Sequence, residues 1–341
     1  MKFLRPTLTP TGTSRSLRRG ITCLLATVAV SAPFAVDSTV ASVVPPERVS
    51  STSPSADVVV SNLTGRTNTP GTTLNLRSCA STTCETQKQI ANGTVLPLTA
   101  TSGDWFKTRY DGSTGWVSSW YVVLQGTPAT SITRGNTSRR MVAYTFDAGS
   151  DVGYAGQILD FLKNRNIKAS FGMTGRWAAT NPTYVERMGN EGHFIFNHTW
   201  NHDSFTGYST GASALSPARR TDELVRTNKK VIALTGNTTK PYFRPPYGDY
   251  DSGVLRDIGA NGYTKNVMWS VDSLGWNGLT AAAICNRVVG SMDAASNGGN
   301  GYIVLFHVGA QSQDANALPC ITRKLRSRGF TFGTVPKVIA P

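Results

Sequence analysis

The 341-residue sequence has only four histidines, few acids and no Cys-x-x-Cys pair. Past its first forty residues it also has no apolar run long enough to span a bilayer. Each shortage excludes something. Without Cys-x-x-Cys, a zinc site built on cysteine is not expected. Without a long apolar run, the mature chain is expected to have no transmembrane segment. Acids number 20 against 34 basic residues, a formal charge of +14, which favours polyanionic partners. The basic residues are scattered rather than clustered, which points to an anionic cell envelope and away from nucleic acid. No internal repeat is present. An apolar content of 39% is ordinary for a chain with a buried core and excludes wholesale disorder.

What is present begins with an export signal over residues 1–41. Lys2, Arg5, Arg15, Arg18 and Arg19 precede a short apolar stretch, residues 21–35, that ends in small residues. The stretch is short for a membrane span and suits a signal peptide cleaved after Ala29 or Ala41; an uncleaved anchor is the alternative. The protein is therefore expected to be secreted, extracellular or wall-associated. Of five cysteines, Cys23 lies in the signal, leaving Cys79, Cys84, Cys285 and Cys320. An even number in an exported chain predicts disulfides, and among three possible pairings proximity favours Cys79–Cys84 and Cys285–Cys320.

Ser, Pro and Val mark residues 42–57 as a linker, and Gly, Thr, Pro and Asn mark residues 125–139 as another. Between them, residues 58–124 read as all-β. Leu74 and Leu76 alternate with polar residues, WFKTRY (105–110) mixes aromatics and charges as a strand does, and Asp111-Gly112 predicts a hairpin turn. The run TLNLRS, with GDWFKTRY and the later GW-V, resembles a bacterial SH3-like domain. That resemblance implies a small barrel that binds the cell wall or acts as a spacer. Trp105, Trp116 and Trp120 are candidates for a ligand groove, with core packing the preferred reading for Trp116.

From residue 140 to 338 strands and helices alternate, which predicts an α/β barrel. Strands are expected over 142–146, 167–171, 193–196, 242–244, 266–271 and 302–306. Helices are expected over 154–164, 182–190, 216–234, 279–292 and 317–328. In such a fold catalytic groups lie at the C-terminal ends of strands. Asp147, His198, Arg244, Asp272 and His307 all fall there. His198 and His202 stand at i and i+4; on a helical turn both rings face one side, within reach of one metal ion.

TFDAG (145–149), NHTWNH (197–202), RPPYG (244–248), VDSLGW (271–276) and VLFH (304–307) occur in that order. Together they resemble the NodB-homology polysaccharide deacetylases, carbohydrate esterase family 4. The resemblance implies a distorted (β/α) barrel, a divalent metal, zinc above all, and hydrolysis of acetyl groups on a polysaccharide. It implies Asp147 as general base, Arg244 as the arginine that keeps the base ionised, and His307 as general acid. His198 and His202 become metal ligands. The Tyr247 N–H becomes an oxyanion donor, and Leu305 and Trp276 become walls of the acetyl pocket. His193 receives no role and reads as structural.

Two departures stand out. The family pattern has a second acid where this chain has Ala148, which removes a metal ligand; Asp151 or solvent is expected to replace it, the rival reading of Asp151 being a helix cap. The pattern also has an acid, directly before Trp276, that orients the histidine. Here that position is Gly275, and Asp272 either takes over or only shapes the loop. The leading expectation is N-deacetylation of peptidoglycan or a chitin-like glycan. O-acetyl esterase action on xylan-like polymers and a non-catalytic wall-binding pseudoenzyme are the alternatives.

Overall fold

The computed structural model describes residues 57–341, which fall within one compact unit. The expected signal peptide, its cleavage site and the linker before residue 57 lie outside the described residues.

Alternation of apolar and polar side chains builds the first sheet. Its strands are β1 (Val58–Thr67), β2 (Thr73–Arg77), β3 (Thr86–Ala91), β4 (Val95–Ser102), β5 (Trp105–Tyr110), β6 (Ser113–Ser118) and β7 (Val122–Leu124). They pair antiparallel in the order β3-β2-β6-β5-β4-β1-β7, the small all-β SH3-like fold expected. Leu74, Leu76, Ile90, Leu98, Phe106 and Val117 fill its interior. Asp111 and Gly112 both take positive φ, 46° and 76°, which is what a tight β5–β6 hairpin needs. Trp116 is buried and belongs to the core, Trp105 is half-buried, and Trp120 is exposed.

The second sheet is parallel throughout and curled. Its first elements are β8 (Thr130–Ile132), β9 (Met141–Ala148), helix α1 (Ala155–Asn164), β10 (Ser170–Met173), α2 (Gly175–Thr180), α3 (Pro182–Asn190), β11 (Phe194–Asn197) and α4 (Pro217–Thr235). It continues through β12 (Tyr242–Phe243), α5 (Ser252–Ala260), β13 (Lys265–Val267), β14 (Val271–Asp272) and α6 (Ala281–Asp293). It closes with β15 (Ile303–His307), α7 (Asp314–Ser327), β16 (Thr331–Gly333) and α8 (Val335–Ile339). The strand order is β14-β15-β9-β10-β11-β12-β13-β8, with β16 added beside β9. This is the distorted (β/α) barrel of the NodB type. Helices cover the outside, so central strands such as β9 are buried on both faces and read as nearly continuous apolar runs.

Local sequence explains the helices. On α1, Ala155, Ile158, Leu159 and Leu162 form one buried stripe. At the start of α4 the Ser216 side chain accepts from Arg219 N–H, Pro217 takes the first turn, and Gly236 ends the helix at φ 70°. The Cys285–Cys320 disulfide joins α6 to α7, and Cys79–Cys84 closes the β2–β3 loop, the two pairings expected. No helix among the described residues is long and apolar enough to cross a membrane.

Three expectations need correction. The stretch 198–202 is a loop rather than a helical turn, with Thr199 and His202 at φ 69° and 68°. The strand expected over 266–271 is two short strands, β13 and β14. The supposed linker 125–139 contains β8, which pairs with β13 over Thr130–Ile132. The small sheet also packs on α4: Ala218 is buried in its apolar cluster, with Val225 and Ala260 of α5 beside it. Arg219 Nε lies 2.9 Å from Asp104 Oδ1 across the same contact.

Candidate active site

The C-terminal ends of β9, β11, β15 and the loop after β12 meet at a cleft of about 690 Å³. Asp147, Asp151, His198, His202, Tyr247, Asp272, Trp276, Leu305 and His307 line it. Strand register brings the two proton-transfer candidates together, because His307 on β15 is the direct partner of Asp147 on β9. Leu305 and His307, two residues apart, face the cleft, while Phe306 between them joins the core.

Arg244 lies under the cleft and is fully buried. Its Nη1 donates to Asp147 Oδ1 at 2.7 Å, its Nε to Val267 O at 2.8 Å, and its Nη2 to Thr145 Oγ1 at 3.1 Å. Burial opposes ionisation of Asp147, but Arg244, with His198 and His307, overcomes it and holds the carboxyl below the ordinary range. His307 shows the reverse balance. Burial pulls its pKa down, yet Asp314, Asp147 and Asp272 outweigh that and raise it. The two shifts run in opposite senses, toward the ionised form of Asp147 and toward the protonated form of His307.

His198 and His202 meet edge to face with ring centroids 4.9 Å apart, although no helix joins them. The loop reaches this geometry through left-handed backbone at Thr199 and His202, and the buried carboxylate of Glu223 holds it. Glu223 accepts from the N–H groups of Trp200 and Asn201, both at 2.7 Å, and from Asn201 Nδ2 at 2.8 Å. His198 Nδ1 lies 2.8 Å from Arg244 O, and donation to that carbonyl leaves Nε2 facing Asp147 Oδ2 at 3.6 Å. Burial lowers both histidine pKa values, that of His202 to about 3, so both rings are neutral, the form that binds metal.

The remaining expected residues fall as follows. Tyr247 has left-handed backbone, φ 61° and ψ 0°, and its ring packs against His202. Trp276 is half exposed, and its Nε1 donates to Asp272 Oδ2 at 3.1 Å. Asp272 Oδ1 accepts from Leu274 N–H at 2.8 Å, so Asp272 shapes its own loop. Asp151 caps no helix, because α1 has no side-chain cap. Its Oδ1 instead accepts from Ala310 N–H at 2.9 Å and ties the β9–α1 loop to the β15–α7 loop. Ala148 is buried in the apolar cluster.

Two family models match the chain: polysaccharide deacetylase over residues 134–265, and bacterial SH3 domain over residues 72–123. The peptidoglycan-N-acetylglucosamine deacetylase of Bacillus cereus is 32% identical over 207 residues, 60% of this chain and 70% of the relative. The chain belongs to the polysaccharide deacetylases. These are hydrolases of carbon–nitrogen bonds. The peptidoglycan-N-acetylmuramic acid deacetylase PdaA of Bacillus subtilis is 31% identical over 205 residues, 59% of this deacetylase and 72% of that protein. The solved structure of the Bc1960 peptidoglycan N-acetylglucosamine deacetylase superposes with a TM-score of 0.55 at 30% identity, over 62% of this chain and 93% of that one.

Deacetylases of this family generally depend on a metal. Among the described residues no group of three His, Cys, Asp or Glu is arranged to hold one. The neutral pair of buried His198 and half-buried His202 fits two positions of a divalent ion and leaves the others to solvent or substrate oxygens, one protein ligand short of the usual catalytic zinc set. Several residues that shape this deacetylase's cleft went unread in the sequence. Gly172, beside Asp147 on β10, is one: a Cβ there would run into Asp147 Oδ1 and lie 3.0 Å from Phe196 Cε2. Glu223, inside a long amphipathic helix, and Asp314, at the head of another, look like ordinary helix acids in the sequence.

Proposed function

We propose that this chain is a secreted, metal-dependent deacetylase that removes N-acetyl groups from peptidoglycan or a closely similar glycan. The observation that carries the reading is the meeting in one cleft of Asp147, pinned by Arg244 at 2.7 Å, of His307, its partner on the next strand, and of the His198–His202 pair with ring centroids 4.9 Å apart. The relatives named for peptidoglycan support the choice of glycan, and the SH3-like fold supports attachment to the wall. The two disulfides and the basic charge suit an exported protein working at an anionic envelope.

An amide is a poor electrophile, so its hydrolysis needs both a base and an acid. Asp147 takes the proton of the attacking water, while Arg244 keeps the carboxylate ionised and pinned. His307, its strand neighbour, gives a proton to the amine nitrogen as the bond to the acetyl carbon breaks. The backbone N–H of Tyr247 is assigned to the developing oxyanion. Leu305 and Trp276 enclose the acetyl methyl. A divalent cation, zinc by ligand type, would be held by His198 and His202 and would polarise the acetyl carbonyl.

Exhaustive chelation is expected to abolish acetate release from N-acetylated peptidoglycan, with bound metal lost in parallel by elemental analysis and both restored by stepwise zinc. Full turnover in demonstrably metal-free protein contradicts the metal assignment.

A further inference from the structure

Asp314 opens α7 and is fully buried, a costly place for a carboxylate without partners. Its Oδ2 accepts the backbone N–H of His307 at 2.8 Å. The same Oδ2 lies 3.8 Å from His307 Nδ1. That is roughly 0.6 Å beyond hydrogen-bond range. Asp314 Oδ1 and His307 Nδ1 are both buried, and neither has a hydrogen-bond partner. Two side chains in contact through a backbone hydrogen bond thus each keep an open polar atom, an acceptor on one and a ring nitrogen on the other.

Gly275 shows how the carboxylate fits. Its φ is outside the left-handed region, so no turn geometry calls for glycine there. A Cβ on residue 275 would run into Ser312 Oγ and lie 2.6 Å from Asp314 Oδ1 and 2.7 Å from Asp314 Cγ. The missing side chain at 275 leaves room for the carboxylate of Asp314 together with the hydroxyl of Ser312.

The ionisable groups facing His307 are Asp147 from β9, Asp272 from β14, Asp314 from α7, His198 at the end of β11 and His202 in the loop after it. Asp147 is taken by Arg244, and both oxygens of Asp272 are engaged in its own loop. Of these carboxylates, Asp314 alone keeps a buried oxygen without a hydrogen-bond partner. We propose that Asp314 is the positioning residue of the acid histidine: it holds His307 through Nδ1, turns Nε2–H toward the cleft, and owes its seat to Gly275.

The proposal rests on the deacetylase reading of the site, and its test separates the two. Asp314→Asn and Asp314→Ala are compared with wild type. Acetate release is measured on N-acetylated peptidoglycan, and the His307 ring is followed by NMR across pH. Asp314→Asn keeps an acceptor for the His307 N–H, so the fold is retained, as circular dichroism checks. Both variants are expected to lose roughly 10²-fold in kcat with KM little changed. In both, His307 titrates at lower pH than in wild type. Wild-type kcat and an unmoved His307 titration in Asp314→Asn overturn the proposal. The NMR measurement needs no turnover: should wild type release no acetate, the deacetylase reading fails, and the titration still decides whether Asp314 governs the ring.

Discussion

Buried charge sets the character of this site at the level of single residues. Arg244 spreads its donors over Asp147, Thr145, Val267 and Met268, so its charge is paired and its N–H groups are distributed in a fixed fork. Lysine cannot reproduce that fork. Arg244→Lys is therefore expected to remain folded but lose stability and most activity, whereas Arg244→Ala leaves Asp147 buried and unpaired and costs about 3–5 kcal/mol in denaturant unfolding. A stability loss below about 1 kcal/mol in Arg244→Ala would show that Asp147 is not held as described. Much of this was legible in the sequence. Asp147, Arg244 and His307 stand at strand ends in motif order, and in a parallel α/β sheet the C-terminal strand ends gather on one side of the fold. Gly172, Gly275 and Asp314 were not legible, because their roles lie in close approaches between segments distant in sequence.

Element by element, the sequence was read best where a long stretch repeats one period. Helices α1, α3 and α4 lie within a residue or so of their expected ends, since an apolar stripe and caps define them locally. Short elements such as β8, α2 and β14 carry too few residues for a period, and pairing with distant strands decides them. The 198–202 loop is the instructive case: i and i+4 spacing suggested a helical turn, yet two left-handed residues and the Glu223 carboxylate bring the same two rings together. Near the start of β11, His193 behaves as the structural histidine expected. Its Nδ1 accepts from Ala169 N–H at 3.1 Å, which requires the neutral ring. Burial lowers its pKa from the ordinary 6.5 to about 4. The folded value lies below the unfolded one, so this stabilisation is complete above about pH 6.5 and is lost as pH falls through 4. His193→Asn, which keeps an acceptor, is expected to remove about 3 kcal/mol of the pH dependence of unfolding across that window. An unchanged slope in denaturant titrations at stepped pH would contradict it.

Across the whole molecule, the small sheet and the catalytic sheet meet on α4, the helix that also supplies Glu223 to the histidine loop. Composition suggested a linker between them, because Gly, Thr and Pro mark turns whether or not a short strand sits among them. The apolar contact at Ala218, rather than the exposed Asp104–Arg219 pair, should hold the two together. Asp104→Asn is expected to change unfolding stability by less than about 1 kcal/mol, and Ala218→Asp to cost about 3 kcal/mol by burying an unpaired carboxylate. Equal effects of the two variants would contradict that assignment. The central claim is chemical, and kinetics on paired variants tests it most directly. Acetate release from N-acetylated peptidoglycan is measured for wild type, Asp147→Asn and His307→Ala, each confirmed folded by circular dichroism. The account predicts that each variant loses roughly 10² to 10⁴ in kcat. Near-wild-type turnover in both folded variants would contradict it.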